Sequence, residues 1–229
     1  MPTPAIVLIT ILMCVAGLTA ALVVRLHIQR RRAIRDFVDR NHLVHERKGD
    51  KAFRKAWAVL PEIPDRGNIS NLIYGTLSGV DLTMFEHTHM VMAGNTPVAI
   101  VHTVAAAEID PLTPEVHIVR RSFLKSIAES FFSGKPSVPL DDEAFRKEWV
   151  VRADDADFAR ALLSPEVQDQ LRGRKHDRGW HIFGGKLAAV QRRQMGRRVL
   201  EDLPARLIAV TRQLHSMTPV PIPEGENVP

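Results

Sequence analysis

From Ala5 to Val24 the chain reads AIVLITILMCVAGLTAALVV, twenty residues without a charge. A helix of that length, at about 1.5 Å of rise per residue, spans the ~30 Å hydrocarbon core of a bilayer. The pattern then becomes amphipathic: Ala33, Ile34, Phe37, Val38 and Asn41 recur at helical spacing among Arg32, Arg35, Asp36, Asp39 and Arg40. That spacing predicts a helix continuing from the span to about His45. Lys48-Gly49-Asp50 ends it, and Ala52, Phe53, Ala56, Trp57, Val59 and Leu60 predict a second short helix stopped by Pro61 and Pro64.

From Ile69 the period drops toward two. Asn71–Thr76 and Val80–Glu86 flank Ser78-Gly79 and predict a hairpin, with further strands at Val98–Ala105, Val116–Val119 and Glu148–Arg152. A second hairpin is predicted where Trp180–Phe183 and Leu187–Gln191 flank Gly184-Gly185-Lys186. Helices are predicted over Ser122–Phe132, from an Asp154 or Asp155 cap to Leu163, and from Ser164-Pro165 toward Gly173. A last helix, Arg197–Met217, carries the stripe Val199, Leu200, Leu203, Leu207, Val210, Leu214, and Pro204 is expected to kink or interrupt it. The fold class that results is α+β: a single amino-terminal transmembrane helix followed by a mixed antiparallel-sheet domain with flanking helices. Residues 1–35 are read as anchor and basic flank, and 36–217 as the domain, which can divide into 36–133 and 143–217. Residues 218–229, TPVPIPEGENVP, are read as an extended tail.

Charge sharpens the first segment. The net charge is +5, from 31 Lys+Arg against 26 Asp+Glu, and residues 1–35 hold Arg25, Arg30, Arg31, Arg32 and Arg35 with no acidic group. Those five arginines account for the whole excess, which argues against nucleic acid as a partner and for anionic lipid head groups. A cleaved signal peptide carries its basic residues before a shorter apolar core, whereas here they follow a full-length run. The positive-inside rule then puts the amino terminus outside the inner membrane and the main domain in the cytoplasm. Cys14, the one cysteine, lies within the span, so the aqueous part has no disulfide, thiolate metal site or cysteine nucleophile. The neutral remainder is polarised, with ten acidic and five basic residues in 129–170 and eleven basic against three acidic in 172–212. Those halves either attract one another or turn the basic block toward a membrane surface.

The run FRKEWVVRADDADFARALLSPEVQDQL from Phe145, the GWHIFGGKLA that follows, and the earlier IYGTLSGVDLTMFEH hairpin resemble a broad group of uncharacterised, membrane-anchored bacterial proteins with a cytosolic α+β domain. The resemblance covers roughly Asn71 to Leu214. It implies a fold and no catalytic residue, and Trp149 stands where a second Phe or Tyr is expected after Phe145, a change a core tolerates.

Candidate chemistry is sparse. His87 and His89 share one strand face and His102 lies on the neighbouring strand, so three histidines, or two with Glu86, form a low-ranking metal site, with no HExxH or CxxC spacing to support it. Asp141, Asp142, Glu143 and Asp154, Asp155, Asp157 stand where loops and helix caps want them, and Gly184-Gly185-Lys186 lacks the spacing of a phosphate loop. No catalytic residue, cofactor or metal is assigned. The sequence therefore reads as a binding protein: a scaffold or accessory subunit of a larger bioenergetic or secretory membrane complex, with membrane lipids and other membrane subunits as partners. A metal-dependent hydrolase built on His87, His89 and His102, or a lipid-surface module using Arg172–Arg212, are the alternatives.

Overall fold

The computed structural model describes residues 4–124 and 134–217. Helix α1 (Pro4–Arg40) is a single rod of 37 residues with two kinds of surface. From Leu12 to Gln29 its side chains are exposed, Leu18 and Leu22 by 72% and 55%. It has the length and composition to cross a membrane. Its last turns turn inward instead, and Ile34, Phe37 and Val38 are buried in the main core.

The helix ends at Arg40, five residues before the expected His45. His42 takes the left-handed conformation (φ 54°), its N–H donates to the Asp39 carbonyl, and Leu43 N–H donates to the Val38 carbonyl. That is a Schellman stop, usually made with glycine, and the buried Leu43–Val38 contact supplies its apolar clasp. The chain then turns into an edge strand, β1 (Val44–Lys48), where a helix end was expected. Asp50 caps α2 (Lys51–Trp57) through Phe53 N–H.

The remaining elements follow the predicted order closely. They are β2 (Asn68–Leu77), β3 (Val80–Ala93), β4 (Thr96–Glu108), β5 (Val116–Arg120), α3 (Arg121–Leu124), α4 (Glu143–Glu148), β6 (Trp149–Ala153), α5 (Ala156–Leu162), α6 (Pro165–Leu171), β7 (Asp177–Phe183), β8 (Lys186–Gln191) and α7 (Arg197–Met217). Pro204 sits inside α7 without ending it. The expected helix over Ser122–Phe132 is seen only in its described part, Arg121–Leu124, and the tail from Thr218 lies outside the described residues. Gly184 and Gly185, both at positive φ, make the two-residue turn between β7 and β8.

All eight strands join one antiparallel sheet in the order β1-β2-β3-β4-β8-β7-β5-β6. Strands from both halves of the chain thus share it, β4 pairing with β8. Alternation along the strands gives the sheet two faces. Leu82 and Met84 of β3, Ala105 of β4, Ala189 of β8 and Trp180 of β7 point to one face, which α7, the end of α1 and helices α4 to α6 cover. Phe85, Val104, Ala106, Ala188 and Phe183 point to the other, where Phe53, Trp57, Leu60 and Ile63 pack on them. The aromatic rings of Phe53, Trp57, Phe85 and Phe183 meet there at centroid distances of 5.1 to 6.0 Å.

Candidate functional site

Three places combine chemistry-bearing side chains with a defined geometry. Two lie on the thinly covered face of the sheet and one at the root of α1.

On the thin face, His87 and His102 sit directly opposite one another on β3 and β4, and His89 lies two residues along on the same side. The structure therefore brings the three predicted histidines together, one nitrogen of each lying within 4.8 Å of the others. His89 and His102 stack with centroids 5.5 Å apart, and His87 and His89 approach to 5.4 Å. Nδ1 of His89 and of His102 is buried without a hydrogen-bond partner, while the backbone of Arg66 stands against His87. Burial, followed by the neighbouring His89, pushes His87 down to about 4. The same two causes push His102 down to about 3, and burial followed by Arg66 and Arg192 also lowers His89. All three are neutral at pH 7, the form that ligates a metal. A zinc–nitrogen distance of about 2.0–2.1 Å requires ligand nitrogens about 3.3 Å apart, so the rings must draw inward to hold an ion. Arg54, Arg178 and Arg192 add positive potential around them. Glu86, the alternative third ligand, points to the opposite face and takes no part: it accepts hydrogen bonds from Arg30, Asn71 and Met195 N–H.

The second cluster was not visible in the sequence. His117 of β5 and His181 of β7 are cross-strand partners, and their Nδ1 atoms stand 3.0 Å apart in a buried site. His181 Nε2 reaches both oxygens of Glu62 at 3.1 and 3.2 Å, and neither residue has accessible side-chain surface. A neutral His181 that donates from Nε2 to Glu62 offers its Nδ1 as acceptor to His117 Nδ1–H. The outer nitrogen of His117 then faces Glu115 at 4.0 Å, and Lys135 bridges Glu115 and Asp154. Burial, then His181 and Lys135, pushes His117 down to about 3. The one sequence signal was a lone histidine inside each of two otherwise apolar strands, VHIVR and WHIF.

Both clusters depend on a missing side chain. A β-carbon built on Gly67 would lie 2.6 Å from His87 Nε2, and one on Gly179 would lie 2.3 Å from His181 Nε2 and 2.4 Å from Glu62. Glycine at these two positions provides the room in which the imidazoles sit.

The third place is a cavity of about 900 Å³ between α1 and the β1–α2 corner. Arg30, Arg31 and Arg35 enter it from α1, Arg47 and Lys48 from β1, and Lys51 and Arg54 from α2; its acidic side chains are Asp39 and Asp50. Three of the five predicted juxtamembrane arginines thus line one cavity, while Arg25 and Arg32 lie outside it. Arg30 is committed inward: it binds Glu86 and donates to the Met195 carbonyl at 2.9 Å. Arg54 likewise donates to the Gly67 carbonyl. Arg31, Arg35, Arg47, Lys48 and Lys51 are exposed, and among the described residues no carboxylate pairs with them.

The basic block 172–212 behaves differently. Arg172 pairs with Asp142, Arg174 with Asp202 and Arg197 with Glu201, and the buried Arg206 holds Asp177 at 2.8 Å. Part of its charge is used inside the domain, including one pairing with the acidic half of the chain.

No family model and no curated protein matches this sequence. The fold has a solved counterpart in the crystal structure of the mycobacterial trehalose monomycolate transport factor A, TtfA. The similarity has a TM-score of 0.59 at 14% identity and covers 83% of this chain and 97% of that one. Identity at that level carries the fold and no residue role.

Proposed function

We propose that this protein is a non-catalytic accessory subunit of a larger membrane protein complex, anchored by one span with its domain on the cytoplasmic side of the inner membrane. One observation carries the reading. Beyond Thr88 on β3 and Val101 on β4, these strands pair, among the described residues, only with each other, so residues 89–100 form a two-stranded ribbon extending past the pairings with β2 and β8. Met90, Met92 and Val98 on it are exposed, at 53%, 67% and 40%. A lone ribbon with apolar side chains in water is marginally stable and gains by being covered, which suits docking on a partner subunit. The exposed apolar half of α1, the arginines that follow it and the likeness to a transport factor support the same reading.

The test is affinity purification of the full chain in mild detergent beside the triple variant Met90→Ser, Met92→Ser, Val98→Ser. Recovery with an integral membrane protein that the variant loses, while remaining folded, is the expected result. Recovery of the wild type alone and monomeric overturns it.

A second reading, a divalent-metal centre at His87, His89 and His102, is favoured by their convergence within 4.8 Å and by the unpartnered buried Nδ1 of His89 and of His102. Three protein ligands leave a coordination position open, as hydrolytic zinc sites do, and the surrounding arginines favour an anion there. Equilibrium dialysis against Zn²⁺ at pH 7.5 tests it: one equivalent bound by the wild type and none by His102→Gln supports it, and equal binding by both refutes it.

A further inference from the structure

We infer that the cavity at the root of α1 is a binding site for one anionic phospholipid, whose head group it holds at the membrane surface. The inference rests on the membrane-anchored reading above and goes beyond it.

Position comes first. The apolar run ends at Val24, so Arg31 lies seven residues, about 10 Å, further along the same helix. The polar layer of a bilayer extends roughly 5–7 Å beyond the hydrocarbon on each side. Of the residues lining the cavity, His27 stands about 4.5 Å past Val24, within that layer, and Arg31 stands roughly 3–5 Å beyond it, where its long side chain can reach back to lipid phosphates. Space is sufficient, since about 900 Å³ exceeds what a glycerophosphate group fills.

Charge selects the ligand. Arg30 and Arg54 are anchored to protein acceptors and form the rigid inner wall. Arg31, Arg35, Arg47, Lys48 and Lys51 have no carboxylate partner among the described residues, although acidic groups elsewhere neutralise Arg172, Arg174 and Arg197. Unpaired cations from three elements converging on one concavity repel one another, and an anion relieves that repulsion. A zwitterionic head group brings a cation of its own and gains less. In the basic block 172–212, which the sequence offered as the lipid-facing surface, five of the eleven cations, Arg172, Arg174, Lys186, Arg197 and Arg206, are paired with carboxylates.

The full chain, purified in a neutral detergent, is titrated with phosphatidylglycerol and, separately, phosphatidylcholine, and read by native mass spectrometry. Carbonate extraction of the source membranes reports independently whether the chain is anchored. One phosphatidylglycerol retained per chain, with phosphatidylcholine washed off, is expected. Arg31→Gln/Arg47→Gln/Lys51→Gln should lower that retention at least about tenfold, while Lys147→Gln, an exposed lysine distant in sequence from the cavity lining, leaves it unchanged. The three triple-variant positions are exposed, and an unchanged circular dichroism melt verifies the fold. Equal retention of both lipids, an equal loss in Lys147→Gln, or full retention by the triple variant overturns the inference. So does displacement of the lipid by 1 mM inorganic phosphate, which would assign the cavity to free phosphate. A chain that extracts in carbonate yet retains the lipid refutes the anchor and leaves the site standing.

Discussion

The two faces of the sheet are built to different rules. The thick face is closed by α7 and the foot of α1 and filled with aliphatic and aromatic side chains, Leu203 and Leu207 among them with no exposed surface, and the charged groups it buries, Glu86, Asp177 and Arg206, are held in ion pairs. Among the described residues the apolar patch of the thin face is covered by α2 and the turn that follows it, and beside that patch the face buries Glu62, His87, His102, His117 and His181. Burying polar groups costs free energy unless they are paired, so a protein keeps them where something other than stability is gained. The faces differ in how those groups are satisfied: the thick face pairs its buried charges, whereas Nδ1 of His89 and of His102 on the thin face has no hydrogen-bond partner.

That division can be broken most forcefully by Leu207→Ala. Removing a fully buried leucine from the thick face should cost about 2–5 kcal/mol, read as a lower denaturation midpoint. A loss below about 1 kcal/mol would mean that α7 is not the main closure. Next comes Gly179→Ala on the thin face. The added methyl would meet His181 and Glu62, and the strain should cost about 1–3 kcal/mol; a neutral outcome would show that this pair can shift aside.

Acid provides a third test, aimed at His117, which faces His181, Glu115 and Lys135 with Glu62 behind. Its pKa in the folded chain is pushed down to about 3, and an unfolded histidine titrates near 6.5. Between those values the unfolded chain takes up a proton that the folded chain refuses. Its contribution to stability is therefore complete above about pH 6.5 and shrinks as pH falls, by about 2 kcal/mol at pH 5. Thermal melts from pH 7.5 to 5 should show a loss to which His87 and His102 contribute in the same direction, and His117→Gln should make that loss smaller by about 2 kcal/mol at pH 5. The smallest effect belongs to neither face: Lys147→Ala removes an exposed pair with Glu143 and should change stability by less than about 0.5 kcal/mol.

Local grammar was legible and remote pairing was not. Ser164-Pro165, Asp155 and the Gly184-Gly185 turn stand where their chemistry predicts, because caps and turns are decided by neighbours in sequence. The α1 stop was misplaced because His42, a residue seldom used so, takes the left-handed position. Strand order depends on β4 meeting β8 across some eighty intervening residues, which no local pattern encodes. The same limit hid the pairing of Glu62 with His181, 119 residues apart. It also hid the basic cavity, since its arginines and lysines come from three elements that a reading of consecutive residues keeps separate. His87, His89 and His102 were legible as a group because two share a strand and the third is on the next one.

The unbroken run of α1 from its apolar half into the core has a mechanical consequence. Between Val24 and Arg40 there are sixteen residues, about 24 Å of helix, with its far end wedged against α7 and the sheet. A 10° tilt of the upper part, of the size a change in bilayer thickness produces, displaces the far end by about 4 Å. With no hinge between the two ends, the domain and its projecting ribbon swing with the rod. The protein is in that sense a pointer, whose bearing is set by whatever grips its other end.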